Sequence, residues 1–378
     1  MEPVTPHPMR VAEISAAAIR RNTERMLEIA GVPVIAVVKA NGYGHGAVTA
    51  ARAALAGGAL LIGVTDIDEA LQLRAAGIDS PILCWLHGER ADFAAAVAAR
   101  IEVGVSRLQQ LEAVAAAAAT LGFSATVQFK IDTGLSRNGA AEHELQELFA
   151  RGAELEGSGL IRVRGIFSHL SNTDPGADLA QAARFDAAIA LLRAAGIEPE
   201  LIHIAASAAV FSSPHLRYSA VRVGVAIYGL SPFDDRSSAD LGLIPAMTLR
   251  SEIVMLRTVP AGSGISYGHT HIVERETRLA LVPIGYADGL PRGLSGRQQT
   301  VLIGGERAPM LGRIGMDQCI IDLNGLQRQV AIGDTVTMFG DPALGSPAMD
   351  EWARGAGTIN YEIAVGIGAR VARVVLDD

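Results

Sequence analysis

Lysine is nearly missing from this chain: of thirty-two basic residues only Lys39 and Lys130 are lysines, and the other thirty are arginines. Cysteine is almost as scarce. Cys84 and Cys319 lie far apart in apolar surroundings, which reads as two buried thiols in a reducing cytoplasm. Aromatics make up 4% of a sequence that is 49% hydrophobic and rich in Ala, Val, Ile and Gly. That is the profile of a parallel sheet buried beneath alanine-rich helices. An excess of basic charge is also lacking. A net charge of -8 argues against nucleic acid and against anionic membrane surfaces. No apolar run reaches the roughly 18 residues that a membrane helix needs. The stretch Met1 to Met9 has three prolines and no apolar centre, so it does not read as a signal peptide.

The chain is long enough for two or three domains. Between residues 12 and 235, strand-like apolar runs alternate with helical stretches. The strands are expected at 34–38, 60–64, 82–85, 101–105, 127–132, 163–169, 201–205 and 221–227. Helices are expected at 46–56, 66–76, 90–100, 106–121, 142–151 and 177–195, with a shorter one starting at Ser207 as its N-cap. Gly77, Gly122 and Gly196 fall where helices should stop. Eight strands in βα alternation suggest a (β/α)₈ TIM-like barrel, with a doubly wound sheet as the alternative. After Tyr228–Pro232 the pattern changes to short β-branched runs, such as 278–284, 300–303, 319–323 and 335–339, broken by Gly304-Gly305 and Asn324-Gly325. The expected division is an N-terminal extension (1–12) packing on the second domain, an α/β barrel (13–235) and a mostly-β C-terminal domain (236–378).

One of the two lysines sits at a telling place. In Val37–Gly46 an apolar strand ends at Lys39, three alternate glycines follow, and a helix of alanine-rich period begins. A lysine leaving a buried strand loses part of its charge and becomes a usable nucleophile or base. A guanidinium could not form the carbon–nitrogen double bond open to an amine. Barrel enzymes keep their chemistry at the carboxyl ends of the strands. There this chain places Lys39, then Asp132 and Arg137, His169 and Ser207, while Arg222, Gly224 and Val225 mark the eighth strand, with Arg222 towards its start.

The stretch Val37–Gly46 resembles the pyridoxal-phosphate lysine motif of the alanine racemases, of fold type III, and the resemblance recurs along nearly the whole chain. It implies pyridoxal 5'-phosphate as cofactor and L- and D-alanine as substrates, with D-alanine supplied for peptidoglycan of the cell wall. Lys39 would carry the cofactor and serve as one base. Tyr267, in Gly264–Gly268, would be the other, contributed by the partner of a homodimer. Free tyrosine, at about 10, is a weak base at neutral pH, so His169 and Arg222 would have to favour its phenolate. Tyr43, Ser207 and the backbone of Gly224 and Val225 would hold the phosphate. Arg222 would face the pyridine nitrogen, flanked by His169 and His203, and Tyr361 would narrow the pocket. Arg137 would hold the substrate carboxylate, together with Met316 and Asp317 of the partner. Lys130 matches a lysine that some racemases carry as a carbamate, an alternative to a plain ammonium that would repel Arg137. The chain departs from the family at Ala206, where asparagine is usual, and at Gly315, where serine is frequent.

Two other readings remain open at this level. A fold-type III amino acid decarboxylase would place an acidic residue against the ring nitrogen, where this chain has Arg222. A non-catalytic carrier of the cofactor would not need some 140 further residues bearing Tyr267 and Met316. His269-Thr270-His271 lacks a carboxylate at ligand spacing, so no metal site is expected.

Overall fold

The computed structural model describes residues 8–376. The first strand, β1 (Arg10–Ser15), leads into a helix, Ala16–Ala30, and then eight short parallel strands follow. They are β2 (Val34–Val37), β3 (Leu61–Val64), β4 (Ile82–Cys84), β5 (Glu102–Val105), β6 (Ala125–Lys130), β7 (Ile161–Phe167), β8 (Leu201–His203) and β9 (Val221–Val223). Helices alternate with them. β2 to β5 are buried at every residue, as strands covered on both faces must be.

The strand order is β9-β2-β3-β4-β5-β6-β7-β8, in sequence throughout, with the last strand beside the first. A doubly wound sheet would reverse direction midway. The two ends nearly meet: Arg222 N–H donates to Ala205 O at 3.0 Å, and Ser219 N–H to Ile202 O at 3.1 Å. The sheet is a nearly closed barrel.

The helices differ in detail from expectation. The one expected at 90–100 spans only Phe93–Ala98, because Asp92 Oδ1 accepts the Ala95 N–H at 2.9 Å and starts it late. The one expected at 142–151 runs on to Gly157, after a 3₁₀ turn at Glu142–Glu144. Sequence reading missed Ala16–Ala30, although Ser15 caps it (Ala18 N–H to Ser15 Oγ, 3.0 Å) and Gly31 ends it in the left-handed region. Its charged run around Arg20–Arg25 hides the buried stripe of Ala18, Ile19, Met26 and Ala30.

The remaining strands are β10 (Met247–Glu252), β11 (Met255–Val259), β12 (Gly264–Ile265), β13 (His271–Ile272), β14 (Thr277–Val282), β15 (Thr300–Ile303), β16 (Glu306–Leu311), β17 (Cys319–Asp322), β18 (Thr335–Phe339) and β19 (Ala372–Leu376). Nine strands form one sheet, ordered β11-β14-β17-β16-β15-β18-β10-β1-β19, with β12 and β13 as a separate hairpin. β1 pairs antiparallel with β10 and parallel with β19, so the first strand belongs to the second sheet. The expected N-terminal extension falls partly on residues 1–7, which lie outside the described residues. Two helices unforeseen in this region, Met349–Ala356 and Asn360–Gly366, complete it. The second of them reaches the barrel mouth. A Cβ on Gly44 would come within 2.3 Å of Ala364 O, so this approach requires glycine.

Candidate active site

Lys39 follows β2 at the barrel mouth and opens a turn of unusual geometry. Ala40 (φ 52°), Asn41 (53°), Gly42 (62°), Tyr43 (50°) and Gly44 (82°) are all left-handed. Such a run is sparsely populated for residues with a side chain, and surrounding contacts must hold it. Glu69 supplies two: Oε1 accepts the Ala40 N–H and Oε2 the Thr65 N–H, both at 2.7 Å. Asn41 Oδ1 accepts the Ala47 N–H at 3.0 Å, which fastens the turn to the next helix. Burial lowers the Lys39 ammonium below its usual range; Arg137 adds to this and Glu69 opposes it.

Lys39 lies on a cavity of about 420 Å³. Tyr43, Lys130, Arg137, His169, Ser207, Arg222, Gly224, Val225 and Tyr361 line it too, so ten residues singled out from the sequence meet at one mouth. Trp85, Phe167 and Asn172 also line it and were not foreseen. The Tyr43 ring packs at 4.9 Å from Tyr228 and 6.3 Å from Tyr361, centroid to centroid. Burial pushes the Tyr361 phenol up to about 12, with Asp234 adding to it, so it stays protonated. Ser207 is not the N-cap that was expected. It is the first residue of helix Ser207–Ser212, and Ala206 holds the cap position without a side-chain bond. The loop after β9 lies against this helix start, and Ser207 Oγ accepts N–H bonds from Gly224 (3.2 Å) and Ala226 (3.5 Å) instead.

On β9, the strand paired with β2, stands Arg222, whose guanidinium is buried. One arm donates to His203 Nδ1 (2.9 Å) and His203 O (3.0 Å). The other donates to His169 Nδ1 (3.1 Å), Ser168 O (2.5 Å) and Ile204 O (3.3 Å). Burial lowers it to about 9, which leaves it charged at neutral pH. Both imidazoles must be neutral to accept from it. Burial, and then Arg222, lower His169 to about 3 and drive His203 in the same direction. Lys130 comes down to about 7, through burial first and then Arg222 and Arg137. Its Nζ lies 5.9 Å from the Phe167 ring centroid.

Four expected residues do not line this cavity: His203, which lies behind Arg222, and Tyr267, Met316 and Asp317. Tyr267 is 71% exposed and Met316 53% exposed. Both belong to the second domain, where Tyr267 lies beside Gly315. Asp317 accepts from Arg370 at 2.7 Å, and Arg370 also meets the buried Asp288 at 3.3 Å. The Met316 loop is fixed by Tyr286 N–H to Gly315 O (3.1 Å) and Ala287 N–H to Met316 O (2.9 Å). Sequence reading missed Glu69, Gln128 and Glu102, which act through other residues, and no motif marks them. No helix among the described residues is long and apolar enough to cross a membrane.

Comparison with known proteins gives the family. Residues 14–232 match the family model "Alanine racemase, N-terminal domain", and residues 246–375 match "Alanine racemase, C-terminal domain". The alanine racemase of Mycolicibacterium smegmatis is 45% identical over 99% of this chain and 97% of its own length. That of Mycobacterium tuberculosis is 42% identical over 99% of this chain and 98% of its own. The crystal structure of alanine racemase from D-cycloserine-producing Streptomyces lavendulae superposes with a TM-score of 0.95 at 41% identity, covering 99% of this chain and 98% of that one. The one from Streptomyces coelicolor gives 0.94 at 41% identity, covering 98% of each. With both of its domains matched, and the barrel mouth built as described, this chain belongs to the alanine racemase family.

Proposed function

We propose that this chain interconverts L- and D-alanine in the cytoplasm, with pyridoxal 5'-phosphate as cofactor, and supplies D-alanine for peptidoglycan. The observation that carries this reading is the Lys39 amine, its pKa lowered chiefly by burial, lining one cavity together with the buried guanidinium of Arg222 from the neighbouring strand. The residues fit the cofactor. Ser207 and the N–H groups of Gly224 and Val225 would hold a phosphate, with the Tyr43 hydroxyl alongside. A Cβ on Gly224 would come within 2.4 Å of that hydroxyl, so the space is kept clear by glycine. When bound, the cofactor supplies an aldehyde carbon that joins an amine and withdraws electrons, which acidifies the substrate Cα–H.

The rest of the chemistry falls to the chain. Arg222 has only donors, so it would face an unprotonated ring nitrogen. That weakens electron withdrawal by the ring and favours simple proton exchange over transamination. Lys39 would take or return the proton on one face of Cα. Tyr267 would do so on the other face, from a second copy of the chain. Its exposure, with that of Met316, supports a homodimer in which each copy completes the other's site. Arg137 would hold the substrate carboxylate, aided by the partner copy's Met316 N–H and Asp317. Lys130 near neutrality suits attack by its neutral amine on carbon dioxide. A C–N bond forms and a proton leaves, giving a carbamate that faces Arg137. The switch from parallel to mainly antiparallel sheet supports a division near residue 235.

The decarboxylase reading fails on Arg222, which stands where an acidic residue would be needed. The carrier reading fails on residues 246–375, which match a racemase domain. Chiral chromatography of products from a panel of L-amino acids tests the proposal. D-alanine should form fastest, without release of carbon dioxide. Carbon dioxide release, or no turnover by the yellow protein, would contradict it.

A further inference from the structure

The interior of an eight-stranded barrel is ordinarily packed with layers of branched apolar side chains. Here a line of polar side chains crosses it. From Arg222 on β9 the line passes to His203 on β8. His203 Nε2 lies 2.8 Å from Gln128 Oε1 on β6, and Gln128 Nε2 donates to Glu102 Oε2 on β5 at 2.6 Å. Glu102 also pairs with Arg164 on β7, which bonds Glu200 at 3.0 Å. His203, Gln128 and Glu102 are all buried.

The donors in this line can point only one way. Arg222 has no lone pair to offer, so His203 Nδ1 must accept and Nε2 must carry the proton. Gln128 therefore turns its oxygen to His203 and its NH₂ to Glu102, and a carboxylate paired with an arginine can only accept. The fold builds room for the arrangement. A Cβ on Gly165 would come within 2.6 Å of Leu201 O on β8, the strand of His203, and within 2.8 Å of Gln128 Oε1. The β6–β7 register slips by one residue at Val127/Gln128, so Arg164 and Gly165 no longer follow a simple alternation. The Phe167 ring lies parallel to His203, 2° between planes, and stops the imidazole from turning.

We propose that Glu102 and Gln128 are positioning residues: the carboxylate, acting through the amide, keeps an acceptor turned to the Nε2 proton that Arg222 requires of His203, and so holds Nδ1 in place against Arg222. Arg222 meets three backbone carbonyls and two imidazoles but no carboxylate. Glu102 is the anion of its line, two neutral groups away. This deepens the racemase reading of Arg222 and rests on it for its catalytic consequence, whereas the proton's position can be read without turnover.

The test uses the cofactor-loaded protein labelled with ¹⁵N-histidine, with the His203 signals assigned by their loss in His203→Asn. Wild type should show one neutral tautomer protonated at Nε2. In Glu102→Gln, Arg164 claims the new amide's oxygen, so its NH₂ faces Gln128 and turns that amide over. His203 is then held between two donors, the turned amide at Nε2 and Arg222 at Nδ1. Its ¹⁵N signals should therefore leave the wild-type position, the cofactor's visible band should move, and kcat should fall roughly tenfold with KM little changed. Gly165→Ala, which alters no charge, should displace Gln128 and disturb the same signals. It serves as the independent variant if Glu102→Gln does not fold. An imidazolium or an Nδ1-protonated His203 in wild type overturns the proposal. So do unchanged His203 ¹⁵N signals in whichever variant folds. A wild-type protein with the expected tautomer but no racemisation would instead count against the racemase reading alone.

Discussion

The Tyr43 hydroxyl occupies the space beside residue 224 so closely that a methyl group there would sit 2.4 Å from it. The strand-end turn that carries Lys39 and the loop after β9 are thus fitted to each other where these two paired strands end. Gly224→Ala should push Tyr43 aside and weaken cofactor retention about tenfold, followed as loss of the visible band on dilution. Tyr43→Phe removes the nearest atom, so the double variant should lose less than the sum of the two single changes. Additive losses would separate the two residues.

Glu69 holds that turn in its left-handed run. Glu69→Ala strips acceptors from the Ala40 and Thr65 N–H groups and should destabilise the protein by about 1–3 kcal/mol. It should also slow racemisation, because the amine of Lys39 is no longer held in place. Urea unfolding together with kcat tests both, and a variant of wild-type stability would deny Glu69 this role.

Much of this was legible in the sequence, and the misses have physical causes. The eight strands and the residues at their carboxyl ends could be read because a strand buried on both faces is an apolar run that stops abruptly at polar chemistry. Ala16–Ala30 escaped because its outer face is charged and a single turn of it looks like loop. Glu69, Gln128 and Glu102 escaped because each works through a second residue on another strand or turn, brought close only by folding. Ser207 was misread as a cap because a serine before a helical run suits both the cap and the first helical position. Only the neighbouring β9 loop decides between them.

Acid should unfold this protein through its buried histidines. Burial is the leading cause that holds His45 and His87 down at about 4 and His169 at about 3, whereas in the unfolded chain they protonate near 6.5. Between those limits the unfolded state binds more protons, so stability falls as pH drops. The loss is up to ~1.4 kcal/mol per pH unit for each histidine. Neither ring nitrogen of His87 makes a well-formed hydrogen bond, with only the Cys84 and Gly104 backbone near it, and the ring packs on Phe93. His87→Phe should therefore flatten the fall in Tm between pH 6.5 and about 4. A profile parallel to wild type would contradict this.

Lys130, lowered to about 7, should react with carbon dioxide. Carbon-13 NMR of protein equilibrated with ¹³C-bicarbonate should show a carbamate signal that Lys130→Met removes. A spectrum without that signal would leave Lys130 an ordinary amine.

The central claim is that one site draws its two bases from two copies of the chain, Lys39 from one and Tyr267 from the other. Lys39→Ala and Tyr267→Ala chains, co-expressed with different tags and isolated as the mixed dimer, test it directly. Each variant alone should be nearly inactive. The mixed dimer should recover about half of wild-type activity, because one of its two sites is whole. A mixed dimer as inactive as its parents would contradict the account.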